Sequence, residues 1–359
     1  MKTLNYLWSN ICGRAVLLLV ALVGVALIAA ACGGREETAS SPAPAKKPTI
    51  RIVDTQFESG WINNAIAKFV IEKGYGYPVE TVEVTTVIGQ ASLAKGDLDL
   101  NMELWQQNNI TWYNEETAKG NLINLGVTYE GGPQFFIIPQ WVANQYNIKT
   151  VEDMKRPEVV QLFRDPEDPK KGAFINCIIG WNCDANNRAK FKAYGLDQFY
   201  NLISPGTGAA LDAALAGAQT KKAPVFGYYW SPTSLMGAYD WYILEEPRYT
   251  GECWAEVIRG SDDRSYTPKQ ACAYETLPVE KGIHKGMLTK APDVVEMLRK
   301  MNVGLEPLNR TAAWAVENDI QGHWDKAAGY YLKTYEERWT QWMPADNVEK
   351  VKEALATAS

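Results

Sequence analysis

From Thr49 onward the chain alternates between two periodicities, and that alternation restricts it to the α/β class. Residues 49–54 (TIRIVD) alternate with period two, whereas Ile62, Ile66, Phe69 and Val70 recur at helical spacing as far as Gly74, after a turn at Glu58-Ser59-Gly60. Residues 78–86 read as a second strand, 91–95 as a helix ended by Gly96, and 97–104 as a third strand with Trp105 at its downstream end. Strands separated by helices imply a mainly parallel sheet.

Near residues 131–139 (GGPQFFIIP) the chain reads as a strand crossing into a second domain. Helical patterns follow at 151–163 and 185–203, and a helix at 209–219. Residues 224–230 (PVFGYYW) are an apolar strand cut off by Ser231-Pro232, and 251–274 read as irregular. A return strand at 277–284 leads back to the first domain, followed by helices near 292–302, 310–318, 324–342 and 346–357. The expected division is one lobe of residues 49–138 and 277–359, and a second of 139–276.

The first 31 residues are set apart. Lys2 and Arg14 precede an uninterrupted run of apolar or small residues from Ala15 to Ala31, the pattern of a secretory signal, with an uncleaved membrane anchor as the alternative. The run ends LIAAACG, which resembles a bacterial lipoprotein cleavage box with Ala29 where Leu is usual; the resemblance implies that Cys32 becomes a lipidated N-terminus. Residues 32–48 hold Pro, Ala, Ser and charge, too little apolar surface to fold, and read as a flexible tether. Either outcome places the folded part outside the cytoplasm, on a membrane.

In such a compartment the cysteines matter. With Cys12 in the signal and Cys32 at the lipid site, Cys177, Cys183, Cys253 and Cys272 remain, an even number that reads as disulfides. Three pairings are open, and the local ones, 177 with 183 and 253 with 272, cost the least loop closure. Zinc is disfavoured because no histidine lies near these cysteines and no CxxC spacing occurs.

The short ring that Cys177 and Cys183 would close contains Gly180, which frees the backbone, and Trp181, which so small a ring leaves no room to bury. Ligands of open α/β sheets lie beyond the carboxyl ends of the strands. Trp105 and Trp230 each end a predicted strand, and Trp181 sits in the stapled loop. The chain has 13 Trp, and tryptophans usually contribute to cores. Three at such positions, drawn from both halves of the chain, point instead to an aromatic cage. A cage suits a quaternary ammonium, which has no N–H to donate and spreads its charge over methyl groups that attract the negative face of an indole. Each desolvated contact contributes roughly 2 kcal/mol, and a charge-assisted hydrogen bond to a ligand carboxylate about 1.5–3 kcal/mol. After the costs of association, micromolar affinity (about −8 kcal/mol) is within reach. Backbone N–H groups of Asn182 and Cys183 stand beside the cage as carboxylate donors.

The loop Cys177-Ile178-Ile179-Gly180-Trp181-Asn182-Cys183, the strand from Pro224 to Pro232 and the motif Asp319-Ile320-Gln321-Gly322-His323 together resemble the glycine betaine/proline betaine-binding proteins of ABC importers. The resemblance implies a two-lobed periplasmic-binding-protein fold of type II with ligand in the interlobe cleft. It also implies a cage of Trp105, Trp181 and Trp230, carboxylate-binding amides at Asn182 and Cys183, and partnership with an ABC permease and its ATPase subunits in osmoprotective import. Some relatives place a histidine four residues after the first cage Trp. Here Asn109 stands there, able to donate a hydrogen bond but uncharged. Choline and carnitine are therefore the alternative ligands, and a sensory domain on the same fold the alternative role.

Other chemistry finds little footing. The pI of about 5.3 gives no basic stripe for nucleic acid. His284 and His323 are the only histidines, and neither has a nucleophile motif nearby, so neither an enzyme nor a cofactor is expected. Gly206-Thr207-Gly208 lacks the spacing and Lys of a phosphate loop. Asp97, Asp99 and Glu103 read as a solvated strand face rather than a metal site, and Asp262-Asp263-Arg264 as loop surface. Glu58 and Ser59 have a place at the edge of the cleft. A sensor would need a second apolar span and an output region, and none follows the cage.

Overall fold

The structure is a computed structural model that describes residues 46–320 and 322–357. The expected signal sequence, Cys12, Cys32, most of the expected tether and Gln321 lie outside the described residues. No helix among the described residues is long and apolar enough to cross a membrane.

Two five-stranded sheets organise the chain. The first comprises β1 (Ile50–Asp54), β2 (Val79–Glu83), β3 (Leu100–Leu104), β4 (Leu122–Tyr129) and β10 (Val279–His284), in the order β2-β1-β3-β10-β4. The second comprises β5 (Gln134–Pro139), β6 (Gly172–Ile175), β7 (Tyr200–Ile203), β8 (Gly227–Trp230) and β9 (Trp241–Ile243), in the order β7-β6-β8-β5-β9. Both sheets are mixed: β1 runs parallel to β2 and β3, but the returning β10 is antiparallel to β3 and β4. In the second, β5 is antiparallel to β8 and β9. The strand near 131–139 is thus wholly a member of the second sheet, and the chain crosses between lobes through residues 130–133. It crosses back through 274–278, and the two crossings are joined by a hydrogen bond from Gly132 N to Leu277 O at 2.9 Å.

Several expected elements differ. The helix Glu58–Phe69 begins at the Glu58-Ser59-Gly60 segment that reads as a turn. The pattern at 185–203 divides into a helix, Asn182–Tyr194, and the strand β7, because Gly195 (φ 68°) ends the helix. Residues 251–262 form a regular helix, Gly251–Asp262, capped by the Thr250 side chain on Cys253 N, rather than a loop. The carboxylates at β3 are the largest revision: Asp97 is exposed as expected, but Asp99, just before the strand, and Glu103 within it are buried, because β3 is a central strand covered on both faces. Asp99 is satisfied by Lys290 Nζ at 2.6 Å and Arg51 N at 2.7 Å.

Each lobe has its own core. Ile50, Ile52, Ile62, Ile66 and Val70 pack under the first sheet with Tyr331 and Trp339 from the C-terminal helices. In the second, Phe136, Phe174, Phe191 and Phe226 form one aromatic cluster, with centroids as close as 4.4 Å between Phe174 and Phe191. Fully burying each such ring contributes roughly 1.5–3 kcal/mol, and the cluster gives β8 and the helix Asn182–Tyr194 a rigid seat. Lys190 of that helix is fully buried, its ammonium 2.7 Å from Glu246 Oε2 and over the rings of Phe136 and Tyr274.

Candidate functional site: an aromatic cavity between the lobes

The sequence places each cavity wall at the end of a regular element. Trp105 follows β3, Trp230 ends β8, and Trp181 immediately precedes the helix Asn182–Tyr194. All three line one cavity between the lobes, with Asn182 and Cys183 beside them. The first lobe adds Thr55, Phe57, Thr86, Gln90, Asn101 and Glu103 to the lining, and the second adds Gln134 and Tyr228.

The stapled loop forms as expected. Cys177 and Cys183 are bonded, as are Cys253 and Cys272. Gly180 has φ 94°, and a Cβ there would lie 2.8 Å from the Thr85 side chain, so both backbone and neighbour require glycine. Across this contact Val87 N donates to Gly180 O at 3.2 Å, tying the loop to the other lobe.

Trp181 does find cover. It is 7% exposed, packed edge-to-face on Phe57 (5.6 Å) and Trp230 (5.6 Å), and its Nε1 donates to Thr55 O across the lobes at 3.0 Å. The ring closed by the disulfide cannot bury it, but the opposing lobe can. Trp230 is 5% exposed, and its ring lies 6.1 Å from that of Phe57. Phe57, a residue the tryptophan pattern does not reveal, therefore stands behind two of the walls. Its position just beyond β1 satisfies the same strand-end rule and is the signal that would have found it.

Asn109 is not brought to the cavity. The short 3₁₀ turn Gln106–Asn109 points Asn108 inward instead, and Asn108 lines the cavity. Asn109 caps the next helix, accepting from Trp112 N at 3.3 Å, and donates to Gln90 Oε1 at 3.1 Å. Asn108 is itself fixed from the second lobe: its Oδ1 accepts from Gln134 Nε2 at 2.9 Å and its backbone O from Asn186 Nδ2 at 3.1 Å. Tyr228 OH completes the relay by donating to Gln134 Oε1 at 2.7 Å.

Electrostatically the cavity has two poles. Asn182 and Cys183 open a helix, where unpaired N–H groups and the helix dipole favour an anion. The Asn182 side chain, 9% exposed, adds a buried Nδ2 with no acceptor of its own. Glu103 supplies the opposite sign. Burial pushes its carboxyl up to about 7, an effect that donors from Asn63, Trp105, Tyr129 and Ser59 only partly offset. No Lys, Arg or His is among the described residues lining the cavity. No cluster of His, Cys, Asp or Glu among the described residues is arranged to hold a metal ion. His284, at the end of β10, accepts from Gly286 N and, like His323, lies outside the cavity.

Residues 48–334 match the family model described as the substrate-binding domain of ABC-type glycine betaine transport systems. A glycine betaine/proline betaine-binding periplasmic protein of Salmonella typhimurium is 24% identical over 328 residues, covering 87% of this chain and 92% of that protein. The fold is similar to that of a glycine betaine/L-proline-binding protein of an ABC transporter from Borrelia burgdorferi. There the TM-score is 0.67 at 17% identity, over 84% of this chain and 99% of that one. An ABC-transporter choline-binding protein in complex with choline aligns with a TM-score of 0.65 at 15% identity, over 86% of this chain and 98% of that one. The architecture is thus the two-lobed periplasmic-binding-protein fold of type II.

Proposed function

Because the chain belongs to the family of substrate-binding domains of ABC-type glycine betaine transport systems, we propose that it captures betaines in the cavity of Trp105, Trp181 and Trp230 for import. Glycine betaine and proline betaine are the first ligands of this reading. The protein binds and delivers solute and carries out no chemistry on it. The observation that carries the reading is the convergence of three indoles, from both lobes, on one cavity whose described lining holds no cationic side chain. The trimethylammonium end fits the indole walls, where each contact contributes roughly 2 kcal/mol. The carboxylate fits the opening of the helix Asn182–Tyr194, at the backbone N–H groups of Asn182 and Cys183 and the unpaired Asn182 Nδ2.

In this reading residues 49–133 and 277–359 form one lobe and 134–276 the other. The chain is held outside the cytoplasm by a lipid on Cys32, with residues 33–48 as tether. Its partners are an ABC permease and the ATPase subunits that drive it. Choline is the second reading: Asn109 is turned away to cap a helix, which leaves the cavity without that carboxylate partner, and the cavity already contains a carboxyl group, Glu103.

Calorimetric titration with glycine betaine, proline betaine, choline, carnitine and proline tests this. Micromolar binding of the betaines with little of proline is expected. Binding of none of the quaternary compounds would overturn the reading, and binding of choline alone would select the second.

A further inference from the structure

The cavity contains one feature that an aromatic cage does not need. Glu103 on β3 is only 6% exposed and lines the cavity. Its Oε1 accepts from Asn63 Nδ2 at 2.6 Å, and its Oε2 from Ser59 Oγ (3.2 Å), Trp105 Nε1 (3.0 Å) and Tyr129 OH (2.9 Å). All four donors are neutral. They solvate a carboxylate, yet no cationic side chain among the described residues pairs with it. A buried carboxylate held by dipoles alone keeps an unbalanced charge, which a bound cation would neutralise. Trp105, a cage wall, donates directly to this group through its ring edge, so the carboxylate and the indole line the same cavity side by side.

We propose that Glu103 is the counter-charge for the ligand's ammonium group and the residue by which the cavity tells a methylated cation from its uncharged isostere. The inference rests on the quaternary-ammonium reading above. It goes beyond shape and beyond the cation–π attraction that indole walls supply on their own: a carboxylate beside them adds a counter-charge that the uncharged isostere cannot use.

Two isosteric pairs provide the test: choline with 3,3-dimethylbutan-1-ol, and glycine betaine with 3,3-dimethylbutanoate. The full-length protein and its Glu103→Gln variant are titrated with whichever pair has a binding member. The expected result is that Glu103→Gln weakens the cation by at least about tenfold and changes the isostere by less than about threefold. If both members of a pair weaken by the same factor, the proposal is overturned. Unchanged affinity for the cation overturns it too. Failure of the unmodified protein to bind any quaternary compound would instead remove the reading beneath it.

Gln places an N–H among four donors and risks misfolding, so pH supplies an independent measurement on the unmodified chain. Burial brings Glu103 to about 7, so protonation at pH 5.5 removes the counter-charge and should weaken the cation, but not choline's uncharged isostere, relative to pH 7.5. Of the surrounding carboxylates, Glu58 is likewise raised by burial, but its bonds are to Ser234 outside the cavity, so its protonation bears on choline and the isostere alike. The Tyr129 phenol is held well above its ordinary value by burial and by Glu103, and Ser59 and Asn63 do not titrate in this range. Glu280 on β10 accepts from Tyr113 OH, and Lys281 on β10 donates to Val127 O. A choline-to-isostere ratio that is flat between the two pH values would contradict the proposal.

Discussion

Glu58 of the first lobe accepts two hydrogen bonds from Ser234 of the second, one from the backbone N and one from Oγ, both at 2.7 Å. The pair lies outside the aromatic cavity and bridges the lobes in the form seen here. A hydrogen bond to a charged group contributes about 1.5–3 kcal/mol. Glu58→Ala should therefore lower the population of the closed form and weaken ligand affinity by roughly ten- to a hundredfold, with both lobes still folded. Calorimetry paired with small-angle scattering checks this: the variant should be more extended without ligand, and unchanged affinity would show that the bridge does not hold the lobes together.

The disulfide between Cys177 and Cys183 closes a loop with a sequence separation of only 6. A ring this small removes little freedom from the unfolded chain, about 2–3 kcal/mol at most. What it mainly does is hold Gly180, Trp181 and the opening of the helix Asn182–Tyr194 in one arrangement. The double variant Cys177→Ser, Cys183→Ser should lose only a few degrees of melting temperature but about tenfold or more in affinity, through lost preorganisation. Equal losses in both measurements would count against a role in shaping the site.

Asn182 Nδ2 is buried and has no acceptor. If this N–H donates to a ligand carboxylate, Asn182→Ala should weaken glycine betaine by roughly ten- to a hundredfold, for one lost charge-assisted hydrogen bond, and leave choline within about twofold. Parallel titrations of both ligands decide it, and an equal effect on both would remove the side chain from carboxylate recognition.

The unliganded protein should lose stability as pH rises from about 4.5 to 7. Glu103 has a folded-state value of about 7 against an ordinary 4.5, so its contribution is fully present below 4.5 and is lost as pH rises through 7. The shift corresponds to about 3 kcal/mol. Melting temperature measured across that range should fall, and Glu103→Gln should flatten the fall. A curve identical in the variant would mean that other groups set the dependence.

Much of this was legible beforehand because it follows from periodicity and from strand ends. The β1–helix–β2–helix–β3 order, the return strand β10, both local disulfides and the meeting of Trp105, Trp181 and Trp230 in one cavity can be read from the chain. What was hidden depends on tertiary cover. An alternating segment such as 97–104 looks half-solvated, yet β3 is central and its Glu103 is buried among donors that come from Ser59, Asn63 and Tyr129, far away in sequence. Counting four residues on from Trp105 reaches Asn109, but a 3₁₀ turn advances the chain differently and presents Asn108. Phe57 carries no indole to mark it, though its place beyond β1 obeys the same strand-end rule as the tryptophans.

The central claim is that indoles from both lobes enclose a methylated cation, and calorimetric titration of Trp181→Ala and Trp230→Ala with glycine betaine tests it most directly. Both residues are also packed in the second-lobe core, so each change should cost about 3–5 kcal/mol of stability, and folding of the variants is verified by circular dichroism first. The account predicts that each folded variant binds at least about tenfold more weakly, one cage wall having been removed. Folded variants that bind as tightly as the unmodified protein would contradict it.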